Sequence, residues 1–271
     1  MWITGNELAN ICKFRLNYNP NDARNKNDDD NIIVENINDN DLIFVKTDYM
    51  DKFILKYFNK IQKKFVLVTH NSDVSFSEKY KKILDSDKII KCYSQNISFL
   101  HEKLFPIPIG MANNRIRLTG IIIPHSNQTL INSIIIPEKK FKVYADFHFN
   151  FEKYGYRKKA YNILKNNPLV EFIEKRTDFE NNWKTISTYQ FIISPHGNGL
   201  DCHRTWESLI LKTIPIVLTS TLDKLYDNLP VIILDNWNDL NEELLRNFLL
   251  NLDFNVEKCK LEYWKSKLHK R

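Results

Sequence analysis

Ser194-Pro195-His196-Gly197-Asn198-Gly199-Leu200-Asp201-Cys202-His203-Arg204-Thr205-Trp206-Glu207 stands between two apolar runs. Phe191-Ile192-Ile193 precedes it, and Ile214-Pro215-Ile216-Val217-Leu218 follows after a segment carrying Leu209, Ile210 and Leu211. The pattern predicts strand, glycine turn, helix, strand. The chain has only 6 Gly in 271 residues, and two of them, Gly197 and Gly199, sit in this turn. Glycine is used where the backbone takes a positive φ or approaches another group closely. A glycine turn that opens a helix is an anion site, because the first N–H groups of the helix carry partial positive charge.

The alternation extends in both directions. Towards the N-terminus lie predicted strands at Ile32–Val34, Leu42–Val45, Phe65–Val68 and Lys88–Tyr93, with helical spacing over Tyr49–Asn59 and around Tyr80, Ile83 and Leu84. Residues 19–31 are almost wholly polar and read as a loop, and no element is predicted before it. Leu104–Ile109 carries two prolines in an apolar run, which predicts an extended edge segment. The βα pattern restarts at Lys142–Phe147. Helices are expected at Tyr156–Leu164, at Phe179–Tyr189 with Asp178 as cap, near Leu222–Asn228, and at Leu240–Leu250 and Val256–Leu268. Further strands are expected at Val170–Ile173 and Val231–Leu234. Continuous apolar strands alternating with helices imply parallel sheets covered on both faces. The fold class expected is α/β: two Rossmann-like lobes with parallel sheets facing one another, residues 1–130 and 131–271.

Composition narrows the function. Hydrophobic residues make up 43% and aromatic residues 13%, enough for two cores. A net charge of +6 from scattered lysines is a weak attraction for phosphates, not a nucleic-acid footprint. Cys12, Cys92, Cys202 and Cys259 show no metal-site spacing, which suggests a reduced, intracellular protein. Neither a signal peptide nor an apolar run long enough to span a bilayer is evident. Asp28-Asp29-Asp30 follows no strand and reads as a solvated acidic loop, so no metal site is expected.

In open α/β sheets ligands bind outside the carboxyl ends of strands. In the turn, Ser194, His196, Gly197, Asn198 and Gly199 are candidates for holding a diphosphate, with Arg204 as cation and Glu207 as acceptor for two sugar hydroxyls. Asp201, Arg204 and Glu207 share a helix face at spacings of three and four; the alternative is a solvated charge ladder. Arg157, Lys175 and Arg176 fall at turns of the same lobe where phosphates could lie, and Asn150 falls in the turn before Arg157. Trp206 and Cys202 read as core. In the first lobe, His70, Asn71, Ser72 and Asp73 end a buried strand. They read either as a helix cap or as part of a site. The turn is not a GxGxxG fingerprint, which argues against a dinucleotide oxidoreductase.

The run Ser194–Leu209, followed by Ile214-Pro215-Ile216-Val217 and Leu225-Tyr226-Asp227-Asn228-Leu229-Pro230-Val231, resembles the C-terminal lobe of exostosin-like glycosyltransferases (family 47 and the ribitol xylosyltransferase-type enzymes). Val68–Asp73 and Pro106–Asn113 resemble the same group more thinly, and the N-terminus does not. The resemblance implies a GT-B-like fold, its two lobes facing across a cleft with 1–130 on the acceptor side and 131–271 binding the nucleotide sugar, and an enzyme moving a hexose or pentose from a nucleotide diphosphate sugar to a glycan or other hydroxyl acceptor. It implies inversion without a metal, and a UDP-linked donor as co-substrate with no other cofactor. Carried over, Ser194, Gly197, Asn198, Gly199, Asp201, Arg204 and Glu207 form the donor site. An inverting reaction needs a base, and Asp73, with His70 second, is expected to supply it. The expected setting is a soluble cytoplasmic enzyme of bacterial or large-virus type (host cytoplasm if viral), with no nucleic-acid partner and no membrane span. The rival is a non-catalytic glycan- or nucleotide-binding protein with a degenerate glycosyltransferase fold.

Overall fold

The computed structural model describes residues 1–16, 31–113, 115–116, 122–123, 128–147, 149, 154–173, 175 and 177–270. The acidic run Asp28–Asp30, nearly all of the predicted 19–31 loop, and Asn150 lie outside them. The chain divides into two compact units, Met1–Ser126 with Lys260–Arg271, and Asn127–Cys259.

The first unit begins with α1 (Gly5–Asn10) and β1 (Phe14–Leu16). Neither was expected from the sequence. Thr4 caps α1 by accepting a hydrogen bond from the Glu7 N–H at 3.1 Å. Ile32–Val34, expected as a strand, is irregular and leads into a 3₁₀ turn at Val34–Asn36. Next come β2 (Leu42–Lys46), α2 (Met50–Phe53) running on into a π turn to Phe58, and β3 (Phe65–His70). A 3₁₀ turn and α3 (Lys81–Leu84), β4 (Ile89–Ser94) and β5 (Leu104–Pro106) follow, and a small antiparallel hairpin, β6 (Arg115–Ile116) with β7 (Ile122–Ile123), comes last. The five-stranded sheet is parallel, in the order β1-β2-β3-β4-β5. Every residue of β3 is buried, as a covered parallel strand requires.

The second unit contains α4 (Gln128–Ser133), β8 (Lys140–Ala145), α5 (Tyr156–Leu164), β9 (Val170–Phe172), α6 (Phe179–Ser187), β10 (Tyr189–Ile193), α7 (His203–Ile210), β11 (Ile214–Leu218), β12 (Ile232–Leu234) and α8 (Glu242–Leu250). The helix expected near 222–228 is only a 3₁₀ turn at Asp223–Leu225. Asp178 caps α6 as expected, accepting from the Asn181 N–H at 2.9 Å. This sheet is also five-stranded and parallel, in the order β12-β11-β10-β8-β9. Its core gathers Val143, Ala145, Phe191, Ile193, Ile214 and Ile216 with Trp237 and Leu245. Two parallel sheets in two Rossmann-like units are thus the architecture.

The last helix corrects the expected boundary. α9 (Leu261–His269) belongs to the first unit, not to a 131–271 lobe. The Leu261 N–H donates to the Met1 carbonyl at 3.0 Å, Trp2 bridges Lys260, and α9 packs on α1. Sequence periodicity carries no signal for that return, because it depends on contacts between opposite chain ends.

The two sheets are wound differently. In the first, spatial order follows chain order without reversal. In the second, the chain goes from β8 outward to β9, then crosses back to β10 on the other side of β8. The loops leaving β8 and β10 therefore diverge at the carboxyl edge. This is the topological switch point at which open α/β sheets bind ligands.

Gly110 takes φ +67°, and a Cβ there would stand 2.2 Å from the Ile3 carbonyl oxygen. Gly155 takes φ +73° with nothing within 4 Å of its Cβ position. Gly110→Ala is expected to lower unfolding stability by about 3 kcal/mol or more, from strain plus a backbone clash. Gly155→Ala is expected to cost only about 1 kcal/mol, from strain alone. Urea denaturation of the two variants checks the contrast.

Candidate functional site

The turn after β10 is held from below. The Ser194 N–H continues the ladder to the Ile216 carbonyl at 2.8 Å, and the Ser194 hydroxyl lies 2.8 Å from that of Thr205, both buried. The Gly197 N–H donates to the Gly199 carbonyl at 3.0 Å, which closes the turn. His196 is buried, and its Nδ1–H donates to the Leu200 carbonyl at 2.7 Å, so Nε2 is the acceptor nitrogen. Burial holds the imidazole below its usual pKa, so it is neutral at pH 7. Tyr156 meets its ring edge-on at 5.5 Å. Cys202 caps α7, and its thiol donates to the Pro195 carbonyl.

Asp201, Arg204 and Glu207 are not a solvated charge ladder. Each is buried or nearly so and held by a partner of its own. The Asp201 carboxylate accepts from the Trp206 indole at 2.9 and 2.8 Å and from the Cys202 N–H at 2.9 Å, and buried Tyr226 bonds the same carboxylate. Arg204 Nε pairs with Asp146 at the end of β8, with side-chain exposures of 13% and 9%. Asp146 also accepts from Asn182 Nδ2 at 2.8 Å, and Asn182 accepts from the Tyr144 hydroxyl at 3.3 Å. Glu207 Oε2 accepts from the Trp183 indole at 3.0 Å. Ion pair, amide and phenol thus tie together the ends of β8, α6 and α7, on both sides of the switch point.

Arg157, in the first turn of α5, reaches over the turn. Its guanidinium lies 2.9 Å from the position of a Cβ on Gly197, and the Cys202 sulfur lies 3.7 Å from that position. The left-handed glycines among the described residues are Gly110 and Gly155. Gly197 is therefore required for close approach, not for a positive φ. The structure brings Ser194, His196, Gly197, Gly199, Asp201, Arg204, Glu207 and Arg157 into one assembly, with Asn198 exposed on its turn. Lys175 is exposed beyond β9, and Arg176 lies outside the described residues.

Sequence inspection alone did not single out Asp146, Asn182, Trp183 or Tyr226. Asp146 carried a signal, an acid at the carboxyl end of a predicted buried strand. Trp183 and Tyr226 carried none, since buried aromatics at helical spacing look like core.

In the first unit the polar end of β3 is also organised. His70 is 1% exposed. Its Nε2–H donates to the Pro108 carbonyl at 2.9 Å, and Nδ1 accepts from the Asn71 N–H at 2.8 Å. Burial again lowers its pKa. With both nitrogens engaged, His70 ties the end of β3 to the Pro108 segment. The sequence reading expected a reserve base here, and the structure gives both of its nitrogens partners within the protein. Around it, the Asn6 N–H donates to Asn113 Oδ1 at 3.0 Å, and Asn113 Nδ2 donates to Asn71 Oδ1 at 3.3 Å. Asp73 is exposed beyond this network.

Among the described residues no helix is long and apolar enough to cross a membrane, and no group of three His, Cys, Asp or Glu could hold a metal ion. No protein family and no curated protein matches the chain in sequence. Among solved structures, a glycosyltransferase from Rickettsia africae ESF-5 is similar at 11% identity and a TM-score of 0.38, over 86% of this chain and 75% of that one. An alpha,alpha-trehalose-phosphate synthase (UDP-forming) from Burkholderia vietnamiensis is similar at 7% identity and a TM-score of 0.36, over 87% and 72%. Likenesses this distant assign neither family nor activity.

Removing one partner of a buried ion pair leaves an uncompensated charge. Arg204→Met is expected to cost about 3–5 kcal/mol, and the double variant Arg204→Met/Asp146→Asn to recover part of it. Urea denaturation of the single and double variants measures both. His70 and His196 have lowered pKa values, so the unfolded chain binds their protons first as pH falls. Stability is fully present above about 6.5, the ordinary histidine value, and is lost as pH drops below it. His70→Gln is expected to flatten the fall in melting temperature between pH 7 and pH 5, which thermal unfolding at several pH values checks.

Proposed function

We propose that this protein is a glycosyltransferase that takes a nucleotide diphosphate sugar at the switch point of its second sheet and transfers the sugar to a hydroxyl acceptor. The observation that carries the proposal is the Arg157 guanidinium held against the Gly197 backbone at the start of α7. A diphosphate there meets a fixed cation and the positive end of a helix of eight residues. The groups that hold the turn in shape, Asp146–Arg204 and Asp201–Trp206, are already satisfied within the protein. The anion site is thereby built before the ligand arrives, which is how charge developing on a leaving group is stabilised.

The proposed chemistry is an inverting displacement. The acceptor oxygen attacks C1 of the sugar, the bond from C1 to the diphosphate oxygen breaks, and the electron pair leaves with the nucleoside diphosphate. Arg157 and the α7 amides offset that charge, so the proposal has no metal step. Glu207, oriented by Trp183, accepts the ribose hydroxyls. The acceptor's proton goes to a carboxylate base, for which Asp73 is proposed, since it is exposed and His70 is occupied. The donor is proposed to be UDP-linked, as the resemblance of the turn implies. A second reading, nucleotide or glycan binding without turnover, is favoured by one observation, the engagement of both His70 nitrogens.

Titration calorimetry with UDP tests the donor site. Loss of a charge-assisted contact worth about 1.5–3 kcal/mol means that Arg157→Ala weakens UDP binding roughly tenfold to 150-fold. Gly197→Ala, which displaces the guanidinium, weakens it comparably. Unchanged affinity in both variants removes the site from this turn. Release of UDP from UDP-sugars in the presence of hydroxyl acceptors, undiminished by EDTA and abolished in Asp73→Asn, is the outcome expected for the proposed chemistry. Tight UDP binding with no turnover on any acceptor favours the second reading.

A further inference from the structure

We propose that Phe179 is the platform on which the nucleobase of the donor stacks. This rests on the reading of the Gly197 turn as the diphosphate position and Glu207 as the ribose position.

α6 carries an inner stripe of side chains. Phe179, Asn182, Trp183 and Ile186 recur at spacings of three and four, so they share one helix face. Ile186 and Trp183 are each 1% exposed, and α6 packs on α7. Asn182 donates to Asp146, the partner of Arg204, and Trp183 donates to Glu207. Successive positions along this face therefore hold the core, then the switch-point ion pair, then the ribose carboxylate. The next position out is Phe179, with its ring centroid 6.4 Å from that of Trp183. It is 42% exposed. It is also the first residue of α6, which follows β9, so it stands at the carboxyl edge where ligands bind. Asp178 fixes this first turn by accepting from both the N–H and the side-chain amide of Asn181, at 2.9 and 2.8 Å.

The order of parts in a nucleotide does the rest. Ribose lies between diphosphate and base. With the ribose hydroxyls at Glu207 and the phosphates drawn to Arg157, which comes from α5, the base is directed away from α5 and towards α6. An exposed single aromatic needs no explanation by itself. This one ends a stripe whose nearest members, Asn182 and Trp183, hold the site, and an aromatic ring offers a face to any base. Phe179 then contributes affinity for the nucleoside without choosing among bases by hydrogen bonds.

Calorimetry on the full chain, with UDP and with inorganic pyrophosphate as separate probes, tests this. Base stacking on an aromatic side chain corresponds to roughly fivefold to 150-fold in affinity. Phe179→Ala and Phe179→Leu are both expected to weaken UDP binding by about that factor and to leave pyrophosphate binding unchanged, while Phe179→Trp retains UDP affinity. If the wild-type chain binds UDP and Phe179→Leu binds it equally well, the inference falls and the donor site stands. Equal weakening of UDP and pyrophosphate would show that Phe179 only supports the fold of the site, which also overturns the inference. A wild-type chain that binds neither UDP, GDP, CDP nor pyrophosphate overturns the donor-site reading, and this inference with it.

Discussion

The ion pair between Arg204 and Asp146 fixes the point at which the second sheet changes direction. Asp146 comes from the strand the chain leaves first and Arg204 from the helix that follows the return crossing. Withdrawing two charges from water is costly, and only a close pair with further hydrogen bonds offsets it. Here the carboxylate has a second donor in Asn182, which is itself steadied by Tyr144. Removing either member of the pair leaves a charge stranded in the interior. The pair therefore acts less as a source of stability than as a constraint on how α6, α7 and β8 meet.

Several features follow from that constraint. With Arg204 committed to Asp146, the cation proposed to face a phosphate is a different one, Arg157, which reaches over from α5. Its guanidinium occupies the space a side chain at position 197 would fill, so glycine there is a steric requirement. In the proposed site Asp201 and Arg204 belong to the frame, and the groups offered to a ligand are Arg157, the terminus of α7 and Glu207. The buried indoles of Trp183 and Trp206 do for Glu207 and Asp201 what Asn182 does for Asp146. Each gives a carboxylate one fixed donor and so fixes its direction.

Much of the second unit was legible in the sequence because its elements are long enough to show a period. Tyr156–Leu164 and Ile214–Leu218 have the expected bounds, and Asp178 caps its helix. The glycine turn was visible because glycine is scarce in this chain. What failed was short or non-local. α1 has six residues and β1 three, too few for a hydrophobic repeat to stand out. The place of α1 is set by Asn113, Gly110 and Met111, about a hundred positions away, and that of β1 by its pairing with β2. Ile32–Val34 is apolar enough for a strand, yet β1 takes the place beside β2. The partners of Arg204 and Glu207 were hidden for a related reason. Spacing shows that charges share a helix face, but not that an aspartate 58 positions earlier or a tryptophan 24 positions earlier already holds them.

The contrast between the sheets explains why one half of the proposed chemistry is better defined than the other. A sheet that reverses direction makes a crevice by topology alone, and the residues beside it are constrained by the strands they end. The first sheet never reverses, so its carboxyl edge has to be shaped by segments laid across it. His70 does this work. It joins the end of β3 to the Pro108 segment and sits so close to α1 that a Cβ on Gly5 would lie 2.6 Å from Nδ1 and 1.7 Å from the Asn71 side-chain oxygen. A buried neutral imidazole spent on such joinery has no nitrogen left for a substrate proton. The base proposed for this unit is accordingly one that projects beyond the asparagine network, Asp73, exposed at its margin.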